Sequence, residues 1–199
     1  MRTIVLASNN KHKIEEFKQL FKNDMILSLN DIGFSEEIEE NGKTFLDNAL
    51  IKAKTIHDYL KSKNIEAVVM SDDSGLCVNS LNGEPGIYSA RYSGIHGNDK
   101  LNRKKLLDNL SNKEDRNAYF LCVIVEYLID GSYIYAEGKT AGVILEEEIG
   151  DDSFGYDCLF YSNELKKSFG EATSTEKNSV SHRARAIHNI KELEKTMDL

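Results

Sequence analysis

Short apolar runs alternate with stretches of helical periodicity along this chain, in the order strand, helix, strand, helix, strand. Thr3 to Ala7 (TIVLA) is apolar and partly β-branched, which predicts a strand. Polar Ser8, Asn9 and Asn10 follow, and Lys11 to Phe21 then places Ile14, Phe17, Leu20 and Phe21 at helical spacing, with Asn9 or Asn10 able to cap. Met25 to Leu29 predicts a second strand. Thr44 is placed to cap a long amphipathic helix carrying Phe45, Leu46, Ala49, Leu50, Ala53, Ile56 and Leu60. The run Ala67 to Met70 predicts a buried strand that ends where Asp72 and Asp73 begin, with Ser74 and Gly75 bending the chain.

Further on, Gly83, Pro85 and Gly86 mark a turn, and Ile87 to Tyr92 is a short segment after it. Asn98 opens a helix through Leu101, Leu106, Leu107 and Leu110, with Asn102, Arg103, Lys104 and Lys105 expected on a solvent-facing side. Ala118 to Ile129 is the longest strand-like run. Asp130 and Gly131 give a hairpin signal before Ser132 to Glu137 returns, and Gly138 to Ile149 suggests a separate strand around Val143 and Ile144. A glycine-bounded loop, GDDSFGYD, leads into a last apolar run. The C-terminal STEKNSVSHRARAIHNIKELEKTM predicts one capped helix with Ile187, Ile190, Leu193 and Met197 on one face. An antiparallel pair among otherwise strand-helix units makes the expected fold α/β with a mixed sheet, in a single domain over residues 1–199.

Composition narrows the function. The 199 residues are 40% hydrophobic and 29% charged, enough for one ordinary globular domain. No window approaches the roughly 18 apolar residues that span a bilayer, and no signal-peptide core follows Met1, so a cytoplasmic protein is expected. A net charge of -8 argues against nucleic acid and anionic membrane as partners. Cys77, Cys122 and Cys158 are odd in number and far apart, which suits buried thiols rather than a disulfide frame or zinc site.

Several local patterns nevertheless gather chemistry. The S-x-N-x-x-K spacing of Ser8, Asn10 and Lys13 at a helix start suits a phosphate, because helix amides and lysine ammonium groups both favour an anion there; an ordinary capped surface helix has the same spelling. Adjacent Asp72 and Asp73 repel each other and disfavour a strand, so a divalent cation or a proton-transfer role is a natural compensation, with an Asp-rich turn as the plain alternative. The tetrapeptide Asn41-Gly42-Lys43-Thr44 imitates a P-loop but lacks its first glycine, since position 37 is Glu. Glu40 is better read as a metal ligand or helix-entry residue. Lys52 and Lys54 have the character of a solvated helix face. Phe154 and Tyr156 around Gly155 offer a stacking surface or ordinary packing. Lys177, His182, Arg183 and Arg185 gather at the start of the C-terminal helix, where cations are unfavourable unless an anion or polar ligand docks among them.

Together these motifs resemble the inosine triphosphate pyrophosphatase family, also called Ham1-like or XTP/dITP diphosphatases. The matching residues are Ser8, Asn10 and Lys13 in SNNKHK; Glu40 with Thr44, Phe45, Asn48, Ala49 and Lys52; DDSGL at 72–76; PGIYSARYSG at 85–94; FGYD at 154–157; and EK followed by SHR at 176–183. Cys158 departs from the pattern, the family commonly having proline after FGYD. The resemblance implies two lobes with an active-site cleft between them, a homodimer, and Mg²⁺-dependent cleavage of ITP, dITP and XTP to monophosphate and pyrophosphate, with Mn²⁺ as a substitute metal. It implies Glu40, Asp72 and Asp73 as metal ligands, Asp73 as proton acceptor, and Lys13 and Lys52 as catalytic cations. Ser8, Asn9, Asn10, Lys11, His12, Lys13 and Ser74 would hold the nucleotide, and Phe154, Gly155, Tyr156, Asp157, Lys177, Ser181, His182 and Arg183 would select the base. Competing readings are a Maf-like pyrophosphatase of other base preference, a nucleotide sensor without turnover, and a serine hydrolase using Ser74 or Ser89 with His182.

Overall fold

The computed structural model describes residues 2–150 and 154–197. The first part of the FGYD loop, residues 151–153, lies outside them. Among the described residues seven strands form one sheet in the order β2-β1-β3-β4-β5-β6-β7. These are β1 (Thr3–Leu6), β2 (Met25–Leu27), β3 (Val68–Val78), β4 (Asn117–Tyr127), β5 (Tyr133–Ile144), β6 (Phe160–Ser162) and β7 (Lys167–Ser168). β1 runs parallel to β2 and to β3, whereas β6 is antiparallel to both β5 and β7, so the sheet is mixed as expected.

Among the described residues five α-helices accompany the sheet: α1 (Lys11–Leu20), α2 (Phe45–Ser62), α3 (Asp99–Leu110), α4 (Ser174–Val180) and α5 (His182–Thr196). No described helix is long and apolar enough to cross a membrane. By backbone proximity the chain divides into two compact units, residues 1–73, 123–137 and 186–199 in the first and residues 74–122 and 138–185 in the second. In β3 the division falls between Asp73 and Ser74.

The first unit buries Val5, Leu29, Ala49, Ala53, Ile56, Leu60, Val69 and Val125 together, the apolar stripe of α2 meeting β1, β3 and β4. Helix α2 begins where it does because the Thr44 hydroxyl accepts from the Asp47 amide while the Asp47 carboxylate accepts from the Thr44 amide, satisfying two amides that a helix start leaves open. Near the chain start, Arg2 joins three acidic residues. Its guanidinium donates to Glu126 at 3.1 Å and Glu194 at 3.0 Å, and its amide donates to Asp24 at 3.0 Å. Glu126 is fully buried on β4.

The second unit packs Leu76, Val78, Tyr92, Leu106, Leu110, Phe120, Tyr156, Phe160 and Phe169 around Cys158. All three cysteines are buried thiols.

Four expectations are corrected. β3 does not stop before the aspartates: it runs through Asp72, Asp73, Ser74 and Gly75 without a turn, its charges being offset by lysines from two helices. The separate strand around Val143 is the continuation of β5, which passes through Gly138 and Gly142 unbroken. Gly142 is needed there, since a Cβ would collide with the Tyr161 carbonyl and the Phe160 ring of β6. The C-terminal helix is two helices, divided at Ser181, whose extended backbone ends α4 while its hydroxyl accepts from the Ala184 amide at the start of α5. Finally, Asn102 and Arg103 of α3 are buried rather than solvent-facing, each bonded to loop backbone; Lys104 on the same helix is exposed as expected.

Candidate active site

In the first unit, β3 places two carboxylates on opposite faces of one strand, because successive side chains alternate. Asp72, 2% exposed, meets Lys13 of α1, whose ammonium lies 3.0 Å from Asp72 Oδ1. Asp73 turns to α2, where Asn48 Nδ2 donates to Asp73 Oδ2 at 3.0 Å and the Lys52 ammonium lies 3.8 Å from Asp73 Oδ1. Lys52 also donates to Glu40 at 3.0 Å and to the Asp72 backbone carbonyl at 2.8 Å. Asn48 and Lys52 are one helical turn apart, so α2 delivers an amide and an ammonium to the same aspartate. The expectation of a solvated lysine face holds for Lys54, which pairs with Asp58 in solvent, and fails for Lys52, which is 7% exposed.

The electrostatics follow from burial against opposite charge. Burial raises the Asp73 pKa above the ordinary aspartate value, and Lys52, Lys13 and the Asn48 hydrogen bond oppose that rise without cancelling it. For Lys52, burial disfavours the ammonium, but Asp73, Glu40 and Asp72 outweigh it and the pKa is raised, so Lys52 stays charged. A buried carboxylate of increased basicity beside a fixed cation can accept a proton from water.

Ahead of this cluster, the Ser8 hydroxyl accepts from the Asn10 amide and Asn10 caps α1 by accepting from the Lys13 amide at 3.2 Å. Asn9 instead accepts from the Asn30 amide, and Lys11 and His12 are exposed. The decoy Asn41-Gly42-Lys43-Thr44 also has its explanation. Gly42 donates to Asn48 Oδ1 at 2.9 Å, and a Cβ there would stand 2.6 Å from Asp47 Cβ, so glycine is required by close approach to α2 and not by a phosphate.

The second unit holds the other predicted residues. The Asp157 carboxylate, buried, accepts from Lys177 at 2.6 Å. Tyr156 is buried with its hydroxyl donating to the Ser89 carbonyl at 2.9 Å, whereas Phe154 and Gly155 are half-buried. His182 stacks on Phe120 of β4 with centroids 4.8 Å apart, and Arg183 donates to the Ser74 hydroxyl at 3.1 Å. Ser181 is buried between α4 and α5. The Arg183 guanidinium on Ser74 is a donor and not a base, and the Ser89 hydroxyl accepts from the Leu76 amide and donates to the Gly86 carbonyl; none of these contacts is the activation that a hydrolase nucleophile needs.

The family model described as "Ham1 family" matches residues 4–193. The chain belongs to the Ham1 family. Among its curated family relatives, the dITP/XTP pyrophosphatase of Clostridium perfringens is 52% identical over 197 residues, covering 96% of this chain and 97% of that protein. One of the same description from Clostridium tetani is 40% identical, covering 96% of each. Among solved structures, the Staphylococcus aureus Ham1 protein superposes with a TM-score of 0.86 at 37% identity over 98% of this chain and 100% of that one. The Coxiella burnetii HAM1 protein gives 0.85 at 32% identity over the same shares. Three residues that contact the expected base-side residues carry no role in the sequence reading: Phe120 stacks on His182, and Asp99 and Arg103 both bond to Gly155. The i, i+4 pairing of Asp99 with Arg103 was the available signal, and it is equally the spelling of an exposed helix face.

Proposed function

We propose that this Ham1-family protein is a nucleoside-triphosphate pyrophosphatase that hydrolyses dITP, ITP and XTP to the monophosphate and pyrophosphate, removing deaminated purine nucleotides from the pool. The observation that carries the reading is Asp73: a buried carboxylate of raised pKa, held by Asn48 and faced by Lys52. The relatives' description as dITP/XTP pyrophosphatases supports the substrate class.

In this reading Asp73 takes a proton as water adds to the α-phosphorus, the α–β bridging bond breaks, and pyrophosphate leaves with the bond's electrons. Lys13 and Lys52 offset the charge of the phosphate chain. The same lysines neutralise Asp72, Asp73 and Glu40 in the free protein, so the site carries its own counter-charges before a nucleotide arrives.

Among the described residues, no three His, Cys, Asp or Glu side chains are grouped to hold a metal. That suits Mg²⁺, which keeps waters and binds through one or two carboxylates plus substrate phosphates. Glu40 and Asp73, both at the Lys52 ammonium, are oxygen donors of the required kind and would hold it together with substrate phosphates, whereas Asp72, expected as a third ligand, meets Lys13 on the other face of β3. Bound there, Mg²⁺ would polarise phosphate oxygens and offset their charge. On the base side, Phe154, Asp157, Lys177, His182 and Arg183 would present a wall and polar groups to the purine. A donor facing position six donates to the keto oxygen of hypoxanthine and meets the amino group of adenine donor against donor.

The test is pyrophosphate release in Mg²⁺ from ITP, XTP, dITP, GTP, ATP and dTTP, by wild type and by Asp73→Asn. Strong preference for ITP, XTP and dITP, with a loss of about 10² or more in kcat for the variant, is expected. Equal rates on ITP and ATP would remove the substrate assignment. Full activity of Asp73→Asn would remove the proton-acceptor role, and ITP binding without pyrophosphate release would make the protein a sensor.

A further inference from the structure

Helix α3 has no part in the proposed phosphate chemistry, yet its first two turns carry two side chains committed to one residue of the FGYD turn. The Gly155 amide donates to Asp99 Oδ2 at 2.8 Å, and the Gly155 carbonyl accepts from Arg103 Nη1 at 3.0 Å. Asp99 and Arg103 are one turn apart on the helix, so both polar groups of a single loop residue are held from the same side chain ladder. Arg103 is 1% exposed and its Nε donates to Glu148 at 2.9 Å. Asn102, between them, accepts from the Ser93 amide at 2.7 Å and donates to the Ala90 carbonyl at 3.2 Å, anchoring the preceding loop.

A buried guanidinium is a costly way to hold a turn, since apolar residues of similar volume usually stabilise a fold as well or better. Its distinguishing property is geometric. Gly155 has a left-handed backbone, φ +63, and a Cβ on it would meet nothing within 4 Å, so glycine is there for its backbone conformation and not for space. Fixing the amide and carbonyl of that residue fixes the directions in which Phe154 leaves on one side and Tyr156 and Asp157 on the other. Tyr156 and Asp157 are themselves tied, to Ser89 and Lys177.

We propose that Asp99 and Arg103 are positioning residues that set nucleobase selectivity by orienting the Phe154–Asp157 turn through the Gly155 backbone. This rests on the functional reading above, in which that turn faces the base. Loss of either contact lets the turn rotate, and the donors and acceptors that separate one purine from another lose their aim while Asp73, Lys13 and Lys52 keep theirs. The effect therefore falls on KM and on discrimination more than on kcat.

The experiment compares wild type, Asp99→Ala, Asp99→Asn and Arg103→Met in steady-state pyrophosphate release from ITP and GTP, with circular-dichroism melting of each. Asp99→Ala and Arg103→Met should raise the ITP KM about tenfold with kcat changed far less, and the ITP-over-GTP preference should fall by a similar factor. Asp99→Asn keeps an acceptor oxygen for the Gly155 amide and should restore both. Arg103→Met alters a buried charge, so if it fails to fold, the half-buried Asp99 series decides the matter. A selective wild type whose KM and preference survive in the folded variants overturns the proposal alone. So does a loss confined to kcat, equal for both nucleotides and not restored by Asp99→Asn, which is the mark of a merely structural role. A wild type without preference for ITP overturns the functional reading, and the proposal with it.

Discussion

Glu126 provides a test of the electrostatics that is independent of catalysis. Its carboxyl is fully buried on β4 beside Glu194, with Arg2 bridging the two, Asp24 also 3.7 Å from the Arg2 guanidinium, and Lys191 of α5 near Glu194. Burial first, and then the neighbouring Glu194, push the Glu126 pKa from 4.5 up to about 8, against the opposing pull of Arg2. Between those two values the folded protein holds a proton that the unfolded chain has released. Stability from this source is complete below about pH 4.5 and is lost as pH rises through about 8, at about 1.4 kcal/mol per pH unit. From pH 5 to pH 8 the loss is about 3 kcal/mol, a large share of the roughly 5–15 kcal/mol that holds a domain together. Glu126→Gln keeps the shape, accepts from Arg2 and donates to Glu194 without titrating. Urea unfolding followed by circular dichroism at pH 5, 6, 7 and 8 should show wild type falling relative to the variant by about that amount, with the variant the more stable at pH 8. If the two proteins lose stability in parallel across this range, Glu126 does not hold the extra proton of the folded state.

Two further substitutions probe the carboxylate cluster. Lys52→Met leaves Asp73 and Glu40 without the ammonium between them and should cost about 3–5 kcal/mol in urea unfolding at pH 7. Asp73 must be ionised to accept a proton, so wild-type kcat/KM should rise with pH through a value above the ordinary aspartate pKa; without Lys52, which holds that pKa down, the acidic limb should move to still higher pH. An unmoved limb would mean that Asp73 does not titrate against Lys52. Gly42→Ala puts a methyl group 2.7 Å from Asn48 Oδ1 and should cost about 1–3 kcal/mol in thermal unfolding, with reduced kcat because Asn48 also holds Asp73. Unchanged melting and kcat would show that the 40–42 segment shifts freely.

Periodicity located most of the secondary structure, because the apolar stripe of α2 and the short runs of β1 and β2 are local signals. The caps at Asn10 and Thr44 were equally legible, being read from two or three adjacent residues. The end of β3 was misread because Asp72 and Asp73 disfavour a strand locally, and their compensation comes from Lys13 and Lys52, distant in sequence. The break at Ser181 was hidden for a related reason: SHRA continues good helical spacing, and only the backbone shows that Ser181 ends one helix and caps another. The residues of the proposed phosphate side are legible only through family motifs, since Lys52 alone looks like any surface lysine. Arg103 is read as solvent-facing because a buried guanidinium and an exposed one have the same letter, and its partners Gly155 and Glu148 are distant in sequence.

Tolerance to variation along α3 should accordingly change from one position to the next. Lys100, Lys104 and Asp108 stand in solvent, and exchanging them for other polar residues alters little beyond net charge. Asn102 and Arg103 sit among them in the same run of polar letters, but both are buried and bonded to loop backbone. Surface-charge engineering guided by hydropathy would treat all five alike. In this helix, a conservative-looking Arg103→Lys exchange removes a bonding geometry, while a charge reversal at Lys104 removes only one exposed ion pair.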